Sequence, residues 1–103
     1  MRDILQRIKR AVLAGHLLFT EKAETERERD GLTQLDVAES LVSAVAIYKT
    51  IRSTSRRREQ GIEYLHVIQS TNLSGTFIYT KGKLVKQLGI DVYYVLVSAK
   101  LAD

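Results

Sequence analysis

The stretch TQLDVAESLVSAVAIYKTIR, residues 33–52, contains the change of period on which the fold turns. Val37, Ala38, Leu41, Val42 and Val45 recur at helical spacing and mark one buried face. Thr33 is placed to cap that helix, and Asp36 three residues later makes a weaker form of the capping box. Beyond it the period shortens from 3.6 to 2. Segments near 45–52, 63–70, 76–81 and 91–99 are rich in Val, Ile, Tyr and Thr and read as strands.

Working back from residue 33, the chain is helical. Ile4, Leu5, Ile8, Ala11 and Val12 predict a helix over Arg2–Ala14, with Gly15 in a left-handed cap. HLLFT, residues 16–20, reads as an extended connector or edge strand. Glu21–Asp30 is polar nearly all round but still reads as helix. Thr20 can cap it, and Lys22/Glu26 and Glu24/Arg27 are spaced for side-chain pairing. Working forward, Arg52–Gly61 is a Ser- and Arg-dominated loop, while Asn72–Gly75 and the Gly82–Gly89 region separate the later strands. Helices first and strands afterwards predict one α+β domain over residues 1–103, its N-terminal helices packed on one face of a mostly antiparallel sheet.

Composition narrows the chemistry. There is no Cys among the 103 residues, hence no disulfide, no thiol nucleophile and no Cys-ligated zinc, and with 2 His a metal site would rest on carboxylates. No apolar run approaches the roughly 20 residues that a bilayer span needs. MRDILQRIKR is too charged for a secretory signal, so a cytoplasmic protein with no membrane partner is expected. Residues 1–48 hold 7 Lys+Arg against 8 Asp+Glu, whereas residues 49–103 hold 9 against 4. That asymmetry points to a polyanionic partner, nucleic acid first.

Alternation groups Tyr64, His66, Ile68 and Ser70 on one side of their strand, and Leu65, Val67 and Gln69 on the other. Neither side is plainly polar. One takes the helices; the other forms a half-apolar trough with a few polar groups. Tyr79 and Lys81 point to one side within Tyr79-Thr80-Lys81-Gly82-Lys83, a pairing that can bind phosphate and donate a proton. Lys49, Arg52, Arg56, Arg57 and Arg58 form a basic run that reads either as a phosphate-contacting surface or as a disordered basic loop. His66, inside a strand, is either a general acid/base or a packed core histidine, whereas His16 reads as structural. Tyr64, Tyr93 and Tyr94 are either base-stacking or core groups. No P-loop, GxSxG elbow or HExxH is present.

Five blocks, KRAVLAGHLLFTEKA, DGLTQLDVAESL, AIYKTIRS, FIYTKG and VLVSAKLAD, come in an order and spacing that resemble the MqsR-type toxins of bacterial toxin–antitoxin operons. These belong to the RelE-like ribonucleases. The resemblance covers nearly the whole chain. It implies a metal-independent endoribonuclease, or mRNA interferase, with no cofactor, that cuts single-stranded mRNA. It also implies a cognate antitoxin partner with a zinc-binding domain and a helix-turn-helix domain. The family's functional positions fall on Lys49, Tyr79, Lys81 and Lys100. A family glutamine falls instead on Tyr64-Leu65-His66, so His66 takes that role, or Gln69 approaches from the same strand.

On that resemblance the 2′-hydroxyl attacks the adjacent phosphorus, giving a 2′,3′-cyclic phosphate and a free 5′-hydroxyl. Lys49, Lys81 and one or more of Arg56, Arg57 and Arg58 are assigned to the phosphorane charge, and His66 to proton transfer, with Tyr79 either as its partner or as a base-stacking and orienting group. Arg52, Arg56, Arg57, Arg58, Lys83 and Gln69 are assigned to RNA binding. A non-catalytic RNA-binding module and a pure protein-interaction domain are the alternatives on the same basic surface.

Overall fold

The computed structural model describes residues 3–53 and 63–103. The element order is α1 (Ile4–Leu13), β1 (Leu17–Phe19), α2 (Glu21–Arg29), α3 (Gln34–Val42), β2 (Lys49–Arg52), β3 (Tyr64–Thr71), β4 (Phe77–Gln87) and β5 (Ile90–Leu101). The strands form one five-stranded sheet in the order β1-β5-β4-β3-β2. All neighbours are antiparallel except β1, which runs parallel to β5 at the border. The helices pack on one face, and Leu5, Ile8, Val37 and Leu41 meet Ile68, Ile78, Tyr94, Leu96 and Ala99 in a single core. This is the expected α+β architecture.

Each helix starts where its sequence signal lies. The Asp3 carboxylate accepts from the Leu5 N–H, and the Thr20 hydroxyl accepts from the Ala23 N–H. Thr33 and Asp36 complete a reciprocal capping box, at 2.9 Å to the Asp36 N–H and 2.8 Å from the Thr33 N–H. Asp36 also accepts from the Asn72 amide, so this cap ties α3 to the β3–β4 turn. Thr33→Ala is expected to cost about 1 kcal/mol and to lower Tm by about 4–8 °C. A thermal melt of the variant superimposing on the wild type would show that the cap carries no stability.

Two boundaries differ from expectation. The helical face does not reach Val45, which is 96% exposed: α3 ends at Val42, and the Ser43 hydroxyl donates to the Thr71 carbonyl at 2.7 Å. The chain then crosses to the far border of the sheet, so β2 begins at Lys49 rather than near 45. Further on, Gly82 does not end its strand. β4 runs on to Gln87, and the hairpin turns at Leu88-Gly89, both with positive φ as a tight two-residue loop requires.

The reason lies across the sheet. The fully buried ring of Tyr94 lies against Gly82, and a Cβ there would stand 2.7 Å from Tyr94 Cζ. The Tyr94 hydroxyl comes within 3.5 Å of the His66 carbonyl oxygen. The ring thus crosses the β4 backbone to reach β3. The register of β4 against β5 shifts at this point, between Lys81 and Gly82.

The border beside β5 is closed by α2 as well as by β1. Glu26 Oε1 accepts from the Ser98 hydroxyl at 2.6 Å and from the Ala99 N–H at 3.1 Å, and Asp30 Oδ2 accepts from the Leu101 N–H at 2.9 Å. Burial pushes the Glu26 carboxyl up, but the bonds from Ser98, Lys22 and the Ala99 N–H outweigh it and hold the group below the usual range. Among the described residues, no helix is long and apolar enough to cross a membrane.

Candidate functional site

The face of the sheet away from the helices gathers Lys49, Lys81, Lys100 and Tyr79. Because Ile68 points into the helix-side core, its neighbours Val67 and Gln69 point to the open face. The strand register then defines two successive rungs. One reads Lys49–Val67–Lys81–Ser98 across β2, β3, β4 and β5; the other reads Gln69–Tyr79–Lys100 across β3, β4 and β5. Neighbouring strands lie about 4.8 Å apart, so the backbones of Lys49 and Lys81, two strands apart, stand about 10 Å from one another.

The two rungs are built differently. In the first, Lys49 and Lys81 flank the fully buried Val67 in register, and Lys49 Nζ lies over the Tyr48 ring, 6.0 Å from its centroid. Ser98 is not free there, since its hydroxyl is held by Glu26. In the second, Lys100 Nζ lies over the Tyr79 ring, 5.3 Å from its centroid, a cation–π contact that fixes ammonium and phenol side by side. Gln69, Tyr79 and Lys100 line an open depression of about 300 Å³ with residues 101–103. Lys49, Lys81 and Lys100 form no ion pair among the described residues.

His66 is not brought to this cluster. It lies on the helix-side face, 7% exposed, with Nδ1 3.0 Å from the Thr50 hydroxyl. Burial, then the positive charge of Arg7, hold its pKa below the ordinary imidazole value. The assignment of proton transfer on the trough to His66 is therefore corrected, and Gln69 is the β3 residue beside Tyr79. Arg52, opposite Tyr64 in register, also falls on the side of His66. Lys83 follows Lys81 on the open side but is ion-paired to Glu63 at 3.0 Å. Arg56, Arg57 and Arg58 lie outside the described residues.

The depressed His66 pKa carries a consequence for stability. The unfolded chain protonates its imidazole near pH 6.5, so the His66 contribution is complete above that value and is lost as pH falls through the lower native pKa. Urea midpoints are expected to drop between about pH 7.5 and about pH 5, and to drop less in His66→Gln. Equal pH dependence in the two proteins would show that the imidazole protonates as freely folded as unfolded.

Of the three tyrosines weighed for base stacking, Tyr94 is core and is removed from that role. Tyr64 and Tyr93 are 51% and 36% exposed, and the Tyr93 ring packs on His16 with centroids 5.2 Å apart. Sequence reading missed the helix-side clefts between α1 and the β4–β5 hairpin, where Arg7 holds Asp91 through a two-pronged guanidinium–carboxylate contact. The residues meet across 84 positions of sequence, so no local pattern announces them. Among the described residues, no three His, Asp or Glu side chains converge to hold a metal ion.

Together, fold and surface define a small α+β domain with a helix-covered face and an open cationic–phenolic face. No protein-family model matches the chain, and neither the curated proteins nor the solved structures contain a match to it.

Proposed function

We propose that the protein is a metal-independent endoribonuclease acting on single-stranded mRNA, of the MqsR type within the RelE-like ribonucleases. One observation carries the reading. Lys49, Tyr79, Lys81 and Lys100, the positions matched by the sequence resemblance, occupy two adjacent rungs of one exposed face, with Gln69 beside Tyr79. Separate patches would have offered nothing to a single phosphodiester.

In this reading Lys49 and Lys81 hold the scissile phosphate and the extra charge of the phosphorane. The ribose 2′-oxygen forms a bond to phosphorus as the bond to the 5′-oxygen breaks. The 2′ proton leaves to a base and the 5′-oxygen gains one. Tyr79 and Lys100 stand side by side on the same rung and are assigned these transfers, one entering deprotonated to accept the 2′ proton and the other giving its proton to the 5′-oxygen, while Gln69 orients the ribose or base. The attacking group is already tethered to the substrate, so positioning supplies much of the acceleration.

The same reading places the chain in the cytoplasm as the toxin of a type II pair. Its cognate antitoxin would carry the zinc and the helix-turn-helix. Incubation of the purified chain with end-labelled single-stranded RNA in EDTA is the test. Fragments ending in 2′,3′-cyclic phosphate are expected. Retention of intact RNA would instead establish a non-catalytic binding module, and no interaction at all would leave a protein-docking domain.

A further inference from the structure

Two clefts lie on the helix side of the sheet, one of about 630 Å³ between α1 and the β4–β5 hairpin, the other of about 550 Å³ beneath the start of α1. They share a wall, since Arg7 and Lys86 line both. Their cations are Arg7, Arg10, Lys83 and Lys86; their acids are Asp91 and Glu63. Each acid is already taken by one cation of the wall, Asp91 by Arg7 and Glu63 by Lys83. Arg10 and Lys86 are exposed and are the positive surplus.

Each cleft also offers a flat ring beside its cations. The first has His16, backed by Tyr93; the second has the exposed edge of Tyr64, with His66 on its floor. Cations for a phosphate and a ring for a base are the two halves of a nucleotide site. Lys83 connects these clefts to the trough: it stands two residues beyond Lys81 on β4 and lines the second cleft. Lys83, itself paired to Glu63, thus stands between the open face, which carries Lys81 and Lys100, and the helix-side clefts, which carry Lys86 and Arg10.

We infer that the paired clefts bind the flank of the single-stranded RNA, holding nucleotides adjacent to those on the open face through Lys86 and Arg10 with stacking on Tyr64 and His16. This rests on the RNA-cleaving reading above and adds to it the path of the strand. The cut itself belongs to the open face; the clefts lengthen the grip.

The test compares the wild-type chain with Lys86→Gln/Arg10→Gln, both sites being exposed, on two fluorescein-labelled RNAs. One is short enough to cover only the open face, and the other is long enough to continue into the clefts. The double variant is expected to bind the longer RNA about tenfold more weakly or worse, with a salt slope smaller by about 1.4, or 0.7 for each lost phosphate contact. Its affinity for the short RNA, and its rate on that RNA, stay at the wild-type level. Tyr64→Leu, which keeps bulk and removes the aromatic face, weakens the longer RNA again without changing the salt slope. Equal affinity and slope for the wild type and the double variant on the longer RNA overturn the inference. So does a titration in which inorganic phosphate shifts the Lys86 and Ile90 amide resonances but the longer RNA does not. Binding is read without scission, so an inactive chain that still shows the expected slope change defeats the nuclease reading and leaves the path of the strand standing.

Discussion

On the ribonuclease reading proposed above, Lys81→Ala is expected to lower the rate of RNA scission in EDTA by about 10²–10³-fold, the usual loss when one donor to a developing negative charge is removed. The Lys81 ammonium forms no ion pair among the described residues, and its strand is held by backbone pairing to β3 and β5. Its removal therefore takes away charge from the trough and leaves the melting temperature close to that of the wild type. Tyr79→Phe keeps the ring under Lys100 and deletes only the phenolic proton, so a fall of about 10²–10⁴-fold is expected where Tyr79 transfers it. His66→Gln serves as the counter-case: its ring is on the other face, and scission should persist. A fully active Lys81→Ala protein, or a folded His66→Gln protein that no longer cuts, would move the chemistry off the open face.

The second large effect is on folding. Tyr94→Ala removes a wholly buried ring from the centre of the core and is expected to cost about 3–5 kcal/mol. That is a large share of the 5–15 kcal/mol typical of a domain. Gly82→Ala places a methyl group 2.7 Å from Tyr94 Cζ and 2.9 Å from Cε2 and the hydroxyl oxygen. A buried ring packed on backbone cannot swing aside, so about 1–3 kcal/mol of overpacking is expected. The pair supplies its own check. With Tyr94→Ala already made, the added methyl enters a vacated space, and Gly82→Ala should cost much less than in the wild type. Strict additivity in urea titrations would show that the two residues do not meet.

Local chemistry was legible wherever the deciding atoms lie close in sequence. Thr20 and Thr33 cap as read, with their partners three residues on, and Gly15 takes the positive φ of a helix-ending cap. The strand reading failed at Gly82 because the reason for a glycine there is Tyr94, which belongs to the next strand. Alternation correctly grouped His66 with Ile68 and apart from Val67 and Gln69. It could not tell which group the helices cover, and that one bit of information moves His66 from the trough to the core side. The parallel pairing of β1 with β5 is equally silent in sequence: a three-residue strand has no period to read. Tyr79 and Lys81 share the open face as alternation along their strand reads, whereas Lys49 and Lys100, named from the resemblance, join them through the pairing of β2 with β3 and of β5 with β4.

The carboxylates that α2 lends to the outer backbone of β5 have a consequence for assembly. A β-sheet polymerises only if each added copy presents a fresh template on its far side. Here β1 pairs with Tyr94–Leu96, and beyond it Glu26 and Asp30 occupy the N–H groups of Ala99 and Leu101, so the outer backbone of β5 offers those groups to no further strand. A copy adding a strand at that border would have to pair with β1, whose three residues make a short template, so growth of a many-copy ribbon through it is disfavoured.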